Sequence, residues 1–185
     1  MRAGQLVVAT PELLDPSFTR TVVLLLQVDE DDGALGLVLN RPSGTDVHEV
    51  LPGWAALSAG PPVVFTGGPV QPSGAICLGR GRPGGPLVAA FAELEGVHAV
   101  GTVDLEALPE ALEASVCEVR LFAGYAGWSP GQLEAEVEDG AWWVVDSLPA
   151  DAFDSRPERL WQQVLLRQGP PLAFAASYPA DPSLN

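Results

Sequence analysis

The sequence predicts an α+β fold, and three features of it do so. Strand-length apolar runs follow one another without the strict strand-helix alternation of a doubly wound parallel sheet. Two of those runs are joined by the acidic turn Asp29-Glu30-Asp31-Asp32-Gly33, a hairpin signal. The helix signals are few, and the clearest lie in the C-terminal third. With 185 residues, 47% of them hydrophobic, the chain is long enough for one sizeable core, so residues 1–185 are read as a single domain.

Taken in order, Leu6 to Ala9 is a short strand stopped by Pro11. Thr21 to Val28 and Ala34 to Leu39 form the hairpin. Both are apolar almost throughout rather than alternating, so both of their faces should be covered. A short helix follows, with Asp46 as its cap, Glu49 at the third helical position, and Val47, Val50 and Leu51 on one face; Pro52-Gly53 ends it. Strands at Val63 to Thr66 and Ala75 to Leu78 flank Gly67-Gly68-Pro69, read as a tight turn, and Gly79 to Pro86 read as a loop. Leu87 to Phe91, Val97 to Val103 and Val116 to Phe122 are further strands. Leu105, Leu108 and Leu112 mark a helix that Pro109 must start or interrupt. Ser129-Pro130-Gly131-Gln132 predicts a helix over 130–139, capped by Ser129 and ended by Gly140, so that Ser129→Ala should cost about 1 kcal/mol. Ala141 to Val145 is strand-like. Ser155-Arg156-Pro157-Glu158 repeats the capping pattern before an amphipathic helix that ends at Gly169. Leu172 to Ala176 reads as a last strand, followed by a polar tail.

Composition restricts function. Nine basic residues, all arginine, stand against 24 acidic ones, a net charge of −15. Duplex DNA is gripped by cations that neutralise phosphates, so direct nucleic-acid binding is not expected. The apolar run Val22 to Leu26 is far too short to span a bilayer and no signal peptide is visible, which reads as a soluble, cytoplasmic protein without a membrane partner. Cys77 and Cys117 form no ligand pattern with His48 and His98, and no metal or cofactor is expected.

Arg20-Thr21-Val22-Val23-Leu24-Leu25, the stretch Gly33 to Pro42, Gly67-Gly68-Pro69-Val70, and Gly124-Tyr125-Ala126-Gly127-Trp128 with Gln132-Leu133-Glu134 occur in this order and spacing. Together they resemble the bacterial AlgH/YqgE-like family, from Gly4 to Ala176. The resemblance implies a strongly bent, bifurcated sheet closing toward a pseudo-barrel and flanked by a few helices. It also implies the family's label of transcriptional regulator, with no assigned catalytic residue. Two departures stand out: family members commonly carry Glu-His where this chain has Gln27-Val28, and often a histidine where Gly79 stands.

Gly127-Trp128-Ser129-Pro130-Gly131 fits the Gly-x-Ser-x-Gly pattern of a nucleophile elbow. Pro130, however, has no N–H to stabilise an oxyanion, and both histidines precede the serine, so Ser129 is read as a helix cap and no residue as catalytic. The site-like residues are Asn40 and Arg41 at a strand end, Gly67 and Gly68, the aromatics Tyr125 and Trp128 in a glycine-rich loop, and Gln132. If the bent sheet gathers these, they form a cleft for a small anionic or aromatic ligand; otherwise Arg41 tethers a loop to an acidic neighbour and the aromatics close the core. The expected role is a regulatory binding protein acting through a protein or small-molecule partner. The alternatives are an enzyme with its site at these residues and a structural scaffold.

Overall fold

In the computed structural model, which describes residues 1–178, the strands are β1 (Gln5–Ala9), β2 (Val22–Asp29), β3 (Gly33–Val38), β4 (Pro42–Asp46), β5 (Val63–Thr66), β6 (Val70–Gly81), β7 (Phe91–Glu93), β8 (Val100–Val103), β9 (Val116–Trp128) and β10 (Trp142–Asp146). Four helices accompany them: α1 (Val47–Val50), α2 (Gln132–Glu138), α3 (Pro157–Gln168) and α4 (Leu172–Ala175). The main path of the sheet runs β10-β1-β2-β3-β9-β6-β8-β7, with β5 joined to β9 and β4 to β5. The sheet is strongly curled into a half-barrel and almost wholly antiparallel.

The hairpin β2–β3 is apolar because it separates two cores. Leu6, Val8, Val22, Leu24 and Leu37 face one, which α3 covers with Leu160, Trp161, Val164 and Leu165. Val7, Ala9, Val23, Leu25 and Val38 face the other, with Trp128, Leu133 and Trp142. Strand side chains alternate between faces, so burying both faces demands apolar residues at every position. A third apolar group, with Trp54, Val103, Leu112 and Val119, lies under β6, β8 and β9.

The curl originates at β9. On one side it pairs with β6 over Val116 to Tyr125, from Gly81↔Val116 to Val70↔Tyr125, with a break in register between Ala75 and Val70. Its other side is divided: Phe122 and Ala123 pair in parallel with Phe65 and Thr66, whereas Ala126, Gly127 and Trp128 pair antiparallel with Gly36, Leu35 and Ala34. Gly67 bridges the fork, its N–H donating to the Ala123 carbonyl at 2.8 Å and its carbonyl accepting from the Val38 N–H at 2.8 Å. A Cβ on Gly67 would lie 2.3 Å from the Gly124 carbonyl oxygen, and one on Gly68 would lie 2.2 Å from Tyr125 backbone. Only glycine allows the strands to come together there.

Arg120, 2% exposed on β9, fastens two connections to the sheet. It donates to the carbonyls of Ala152 and Asp154, both at 3.1 Å, and of Gly60 at 2.6 Å, and stacks 4.3 Å over Phe65. Burial pushes its pKa down to about 10, against the opposing pull of Glu118 and Asp154, so it stays charged at neutral pH.

Several expectations need correction. Leu172–Ala175 is helix, not strand: Pro171 precedes it where a missing N–H is harmless, and Ala175 with the following Ala176 packs into the core that α3 covers. Gly79 to Gly81 belong to β6, where a Cβ on Gly79 would lie 2.6 Å from Val103, so these glycines mark close packing rather than a loop. The glycine-rich stretch 124–128 likewise continues β9. Around Pro109 only a 3-10 turn, Pro109–Ala111, forms. The strand expected at 87–91 is Phe91–Glu93, and that at 97–103 begins at Val100, after Gly96 and Ala99 adopt positive φ. In α1 Asp46 does cap, accepting from the His48 N–H at 2.7 Å, but Val50 is exposed, the helix being too short to hold it on the Val47 face.

Neither expected serine cap forms. Before α2 the cap position is taken by Gly131 at φ 73, and the Ser129 carbonyl, not its hydroxyl, accepts from the Gln132 N–H. Before α3 the cap position is Arg156, without a side-chain cap bond, and the Asp154 carboxylate accepts from the Arg156 N–H. The polar tail lies, from residue 179, outside the described residues. Among the described residues no helix is long and apolar enough to cross a membrane.

Candidate functional site

Of the residues singled out in the sequence, Tyr125, Trp128 and Gln132 line one cavity and Arg41 and Gly68 another, while Asn40 and Gly67 line neither. The larger, about 550 Å³, is a cleft lined by Gln27, Asp32, Leu35, Tyr125, Ser129 and Gln132 among others. The smaller, about 290 Å³, is lined by Arg41, Ser17, Thr66 and Gly68 between Pro16, Pro42 and Pro69. The two motifs are joined through the fork: the Thr66 N–H donates to the Arg41 carbonyl at 2.8 Å, and Gly68 abuts the Tyr125 backbone.

Several of the seven residues are occupied by the fold. Asn40 is 7% exposed, its Oδ1 accepting from the Val22 N–H at 3.0 Å and its Nδ2 donating to the Arg20 carbonyl at 2.8 Å, which fixes β2 against the end of β3. Trp128 is buried against Phe18 and Trp142, and its Nε1 donates to Glu136 Oε2 at 3.0 Å. Trp142 Nε1 donates to the same oxygen at 2.8 Å, and Gln132 Nε2 to Glu136 Oε1 at 2.9 Å. Glu136 is therefore a hub that the sequence reading missed; the one signal for it is its place one helical turn after Gln132 on a helix flanked by tryptophans. Gly67 and Gly68 form the junction itself.

Tyr125 is half-buried, and neither its hydroxyl nor the exposed Gln27 amide has a partner among the described residues. Gln27 stands beside a β-bulge, the register running Leu25↔Gly36 and then Gln27↔Leu35, which re-aims it at the cleft mouth. The sequence marked Gln27 only as a departure from a family pattern.

The acidic turn beside the cleft is self-contained. The Asp29 carboxylate accepts from the N–H groups of Asp31 at 2.8 Å and Asp32 at 3.0 Å, and these bonds lower its pKa. Ser129 has no base: its hydroxyl has no hydrogen bond among the described residues, and neither histidine lines the cleft. His98 is exposed and lies 3.3 Å from Glu93, and His48 is exposed on α1. Among the described residues no group of three His, Cys, Asp or Glu side chains could hold a metal ion. Burial pushes the Cys77 thiol up to about 12, so it is not a nucleophile at neutral pH.

The sequence matches the AlgH-like family, DUF179, over residues 6–173. The chain belongs to the AlgH-like family. It is 53% identical to a UPF0301 protein of Streptomyces avermitilis over 183 residues, covering 98% of this chain and 94% of the relative. A UPF0301 protein of Mycobacterium tuberculosis is 46% identical over 192 residues, covering 100% and 91%. Among solved structures, the crystal structure of a Corynebacterium diphtheriae protein superposes with a TM-score of 0.90 at 30% identity, covering 96% of this chain and 93% of that one. The solution structure of AlgH from Pseudomonas aeruginosa superposes with a TM-score of 0.67 at 31% identity, covering 95% and 93%. The four blocks that carried the resemblance are thus, in this AlgH-like chain, largely the blocks that build the hairpin and the fork.

Proposed function

We propose that this AlgH-like protein is a cytoplasmic, non-enzymatic binding protein that takes part in transcriptional regulation through a small-molecule or protein partner, without gripping DNA itself. The observation that carries this reading is the open cleft beside β9, where Tyr125 and Gln27 offer an aromatic face and an amide not engaged by the fold. Such a surface orients a planar, hydrogen-bonding group. The enzymatic alternative, with its site among Asn40, Arg41, Gly68, Tyr125 and Gln132, is less well supported: Asn40 and Gln132 are hydrogen-bonded within the fold, and neither histidine lines the cleft.

The deployment of positive charge supports the second half of the reading. Arg2 pairs with Asp146, Arg80 with Glu118 and Arg167 with Asp151. Arg41, Arg82 and Arg120 donate to backbone carbonyls, and Arg20 lies over Trp161 and donates to the Tyr178 carbonyl. Seven of the nine arginines thus hold the fold together. A phosphate-tracking surface needs several free cations in a row.

The test is twofold. Fluorescence anisotropy with a labelled generic duplex at physiological salt should show no binding; micromolar affinity with a steep salt dependence would overturn the indirect role. A thermal-shift panel of small planar compounds such as nucleosides and aromatic acids should yield stabilising ligands whose effect is lost in Tyr125→Ala. Equal stabilisation of the variant would remove the cleft from the proposal.

A further inference from the structure

We propose that the cavity beside Arg41 is a second binding site, specific for a small oxyanion, either a carboxylate or a phosphate, gripped by the Arg41 guanidinium with the hydroxyls of Ser17 and Thr66. This goes beyond the reading of the Tyr125 cleft and does not rest on it, since no residue lines both cavities.

Arg41 is half-buried in a chain with 24 acidic residues, yet no carboxylate lies within ion-pair reach of it among the described residues. Its Nη2 donates to the Thr19 carbonyl. That bond tethers the guanidinium and uses one of its five N–H groups, the others having no partner among the described residues. Guanidinium is the side chain whose planar fork matches two oxygens of one carboxylate or phosphate. Ser17 and Thr66 line the same cavity with hydroxyls that have no partner among the described residues, and each can donate to an oxyanion.

Pro16, Pro42 and Pro69 have fixed φ, and Gly68 is locked against Tyr125 backbone, so ordering the site on binding costs little. A volume of about 290 Å³ suits a small ion or one acidic group of a metabolite. The acidic group next to it in sequence, Asp15, already accepts from the Ser17 N–H at 2.8 Å. The net charge of −15 opposes anion approach only weakly at this distance scale, because salt near 0.1 M screens exposed charges beyond roughly 10 Å. Arg82 offers a useful contrast. It too lines a cavity, but its Nε and Nη2 both donate to carbonyls and Glu93 shares the space, so an anion would find fewer donors and an opposing charge.

The experiment is a two-dimensional NMR titration of the full chain with inorganic phosphate and, separately, with acetate, ionic strength being held constant with sodium chloride. Saturable shifts are expected at the amides of Ser17, Thr66 and Gly68 and at the Arg41 side-chain N–H, and the tighter arm identifies the ligand class. Arg41→Gln should weaken that binding at least about tenfold, as loss of a charged bidentate partner does. Ser17→Ala and Thr66→Val leave the Arg41 bond to Thr19 in place and should each weaken it about threefold. Absence of saturable shifts in both arms would overturn the proposal, as would unchanged affinity in Arg41→Gln. Should Arg41→Gln fail to fold, unchanged affinity in both hydroxyl variants would overturn it instead. Shifts confined to Gln27 and Tyr125 would assign the anion to the other cleft, likewise overturning this site while leaving the proposed function standing.

Discussion

Replacing Arg120 by methionine tests how firmly this one buried cation fastens the connections at Gly60 and at Ala152 and Asp154 to β9. The substitution keeps most of the volume and removes every donor, so the Gly60, Ala152 and Asp154 carbonyls lose their partner and Phe65 loses its stacked cation. Three hydrogen bonds from a charged donor are each worth about 1.5–3 kcal/mol. Against this stands the relief of no longer burying a guanidinium, which amounts to several kcal/mol. The net loss should be about 3–5 kcal/mol, as when one partner of a buried charged cluster is removed. At about 2–4 °C per kcal/mol for a domain of this size, Tm should fall by about 6–20 °C. Chemical denaturation followed by tryptophan fluorescence gives the free energy, and hydrogen exchange should show the amides near Gly60 and Asp154 losing protection first. Arg120→Lys should recover roughly half the loss, because an ammonium lacks the planar fork and the stacking face. A methionine variant within about 1 kcal/mol of the parent, or more stable than it, would refute the reasoning: the desolvation cost would then equal or exceed the bonds.

Glu136→Ala should cost about 2–4 kcal/mol by orphaning two indole N–H groups, whereas Glu136→Gln, which keeps an acceptor, should cost less than about 1 kcal/mol. Urea midpoints at unchanged m-value measure both, and equal losses would remove Glu136 as the hub. Ser129→Ala should shift stability by less than about 0.5 kcal/mol, since its hydroxyl caps nothing; a loss of 1 kcal/mol or more would restore the capping role. The Asp29 pKa is lowered in the folded state, so its contribution is fully present above the ordinary aspartate value of about 3.9 and is lost as pH falls through the lowered folded value. The Asp31 and Asp32 amide shifts should titrate together below that ordinary value, and Asp29→Asn should abolish the titration; a midpoint at or above the ordinary value would contradict the assignment.

Local rules made the hairpin legible from sequence, because a two-sided apolar run with an acidic turn has few other uses. The turn's own aspartate then satisfies its backbone. Gly140 and Gly169 gave the ends of α2 and α3 for the same reason: a positive φ after a helix is a property of a few adjacent residues. Capping patterns were less reliable. At both Ser129 and Ser155 a neighbouring residue offered the backbone another way to turn, and spacing alone does not distinguish a hydroxyl that caps from one that faces solvent. The glycines at 67, 68, 79 and 124 look like turn and loop positions in the sequence, which shows that a side chain is missing but not which strand occupies its place.

The sequence by itself determined that the fold is α+β, that the inner half of its hairpin is buried on both faces, that its net charge is −15, and, through four spaced blocks, which family it belongs to. Only the tertiary structure decided the forked pairing of β9, the assignment of Trp128 and Gln132 to Glu136, and the separation of Arg41 from Tyr125 into two cavities. The physical reason is separation along the chain. Turns and strand periodicity depend on residues a few positions apart, whereas the fork joins Val38, Gly67 and Ala123, whose meeting depends on how the whole sheet curls.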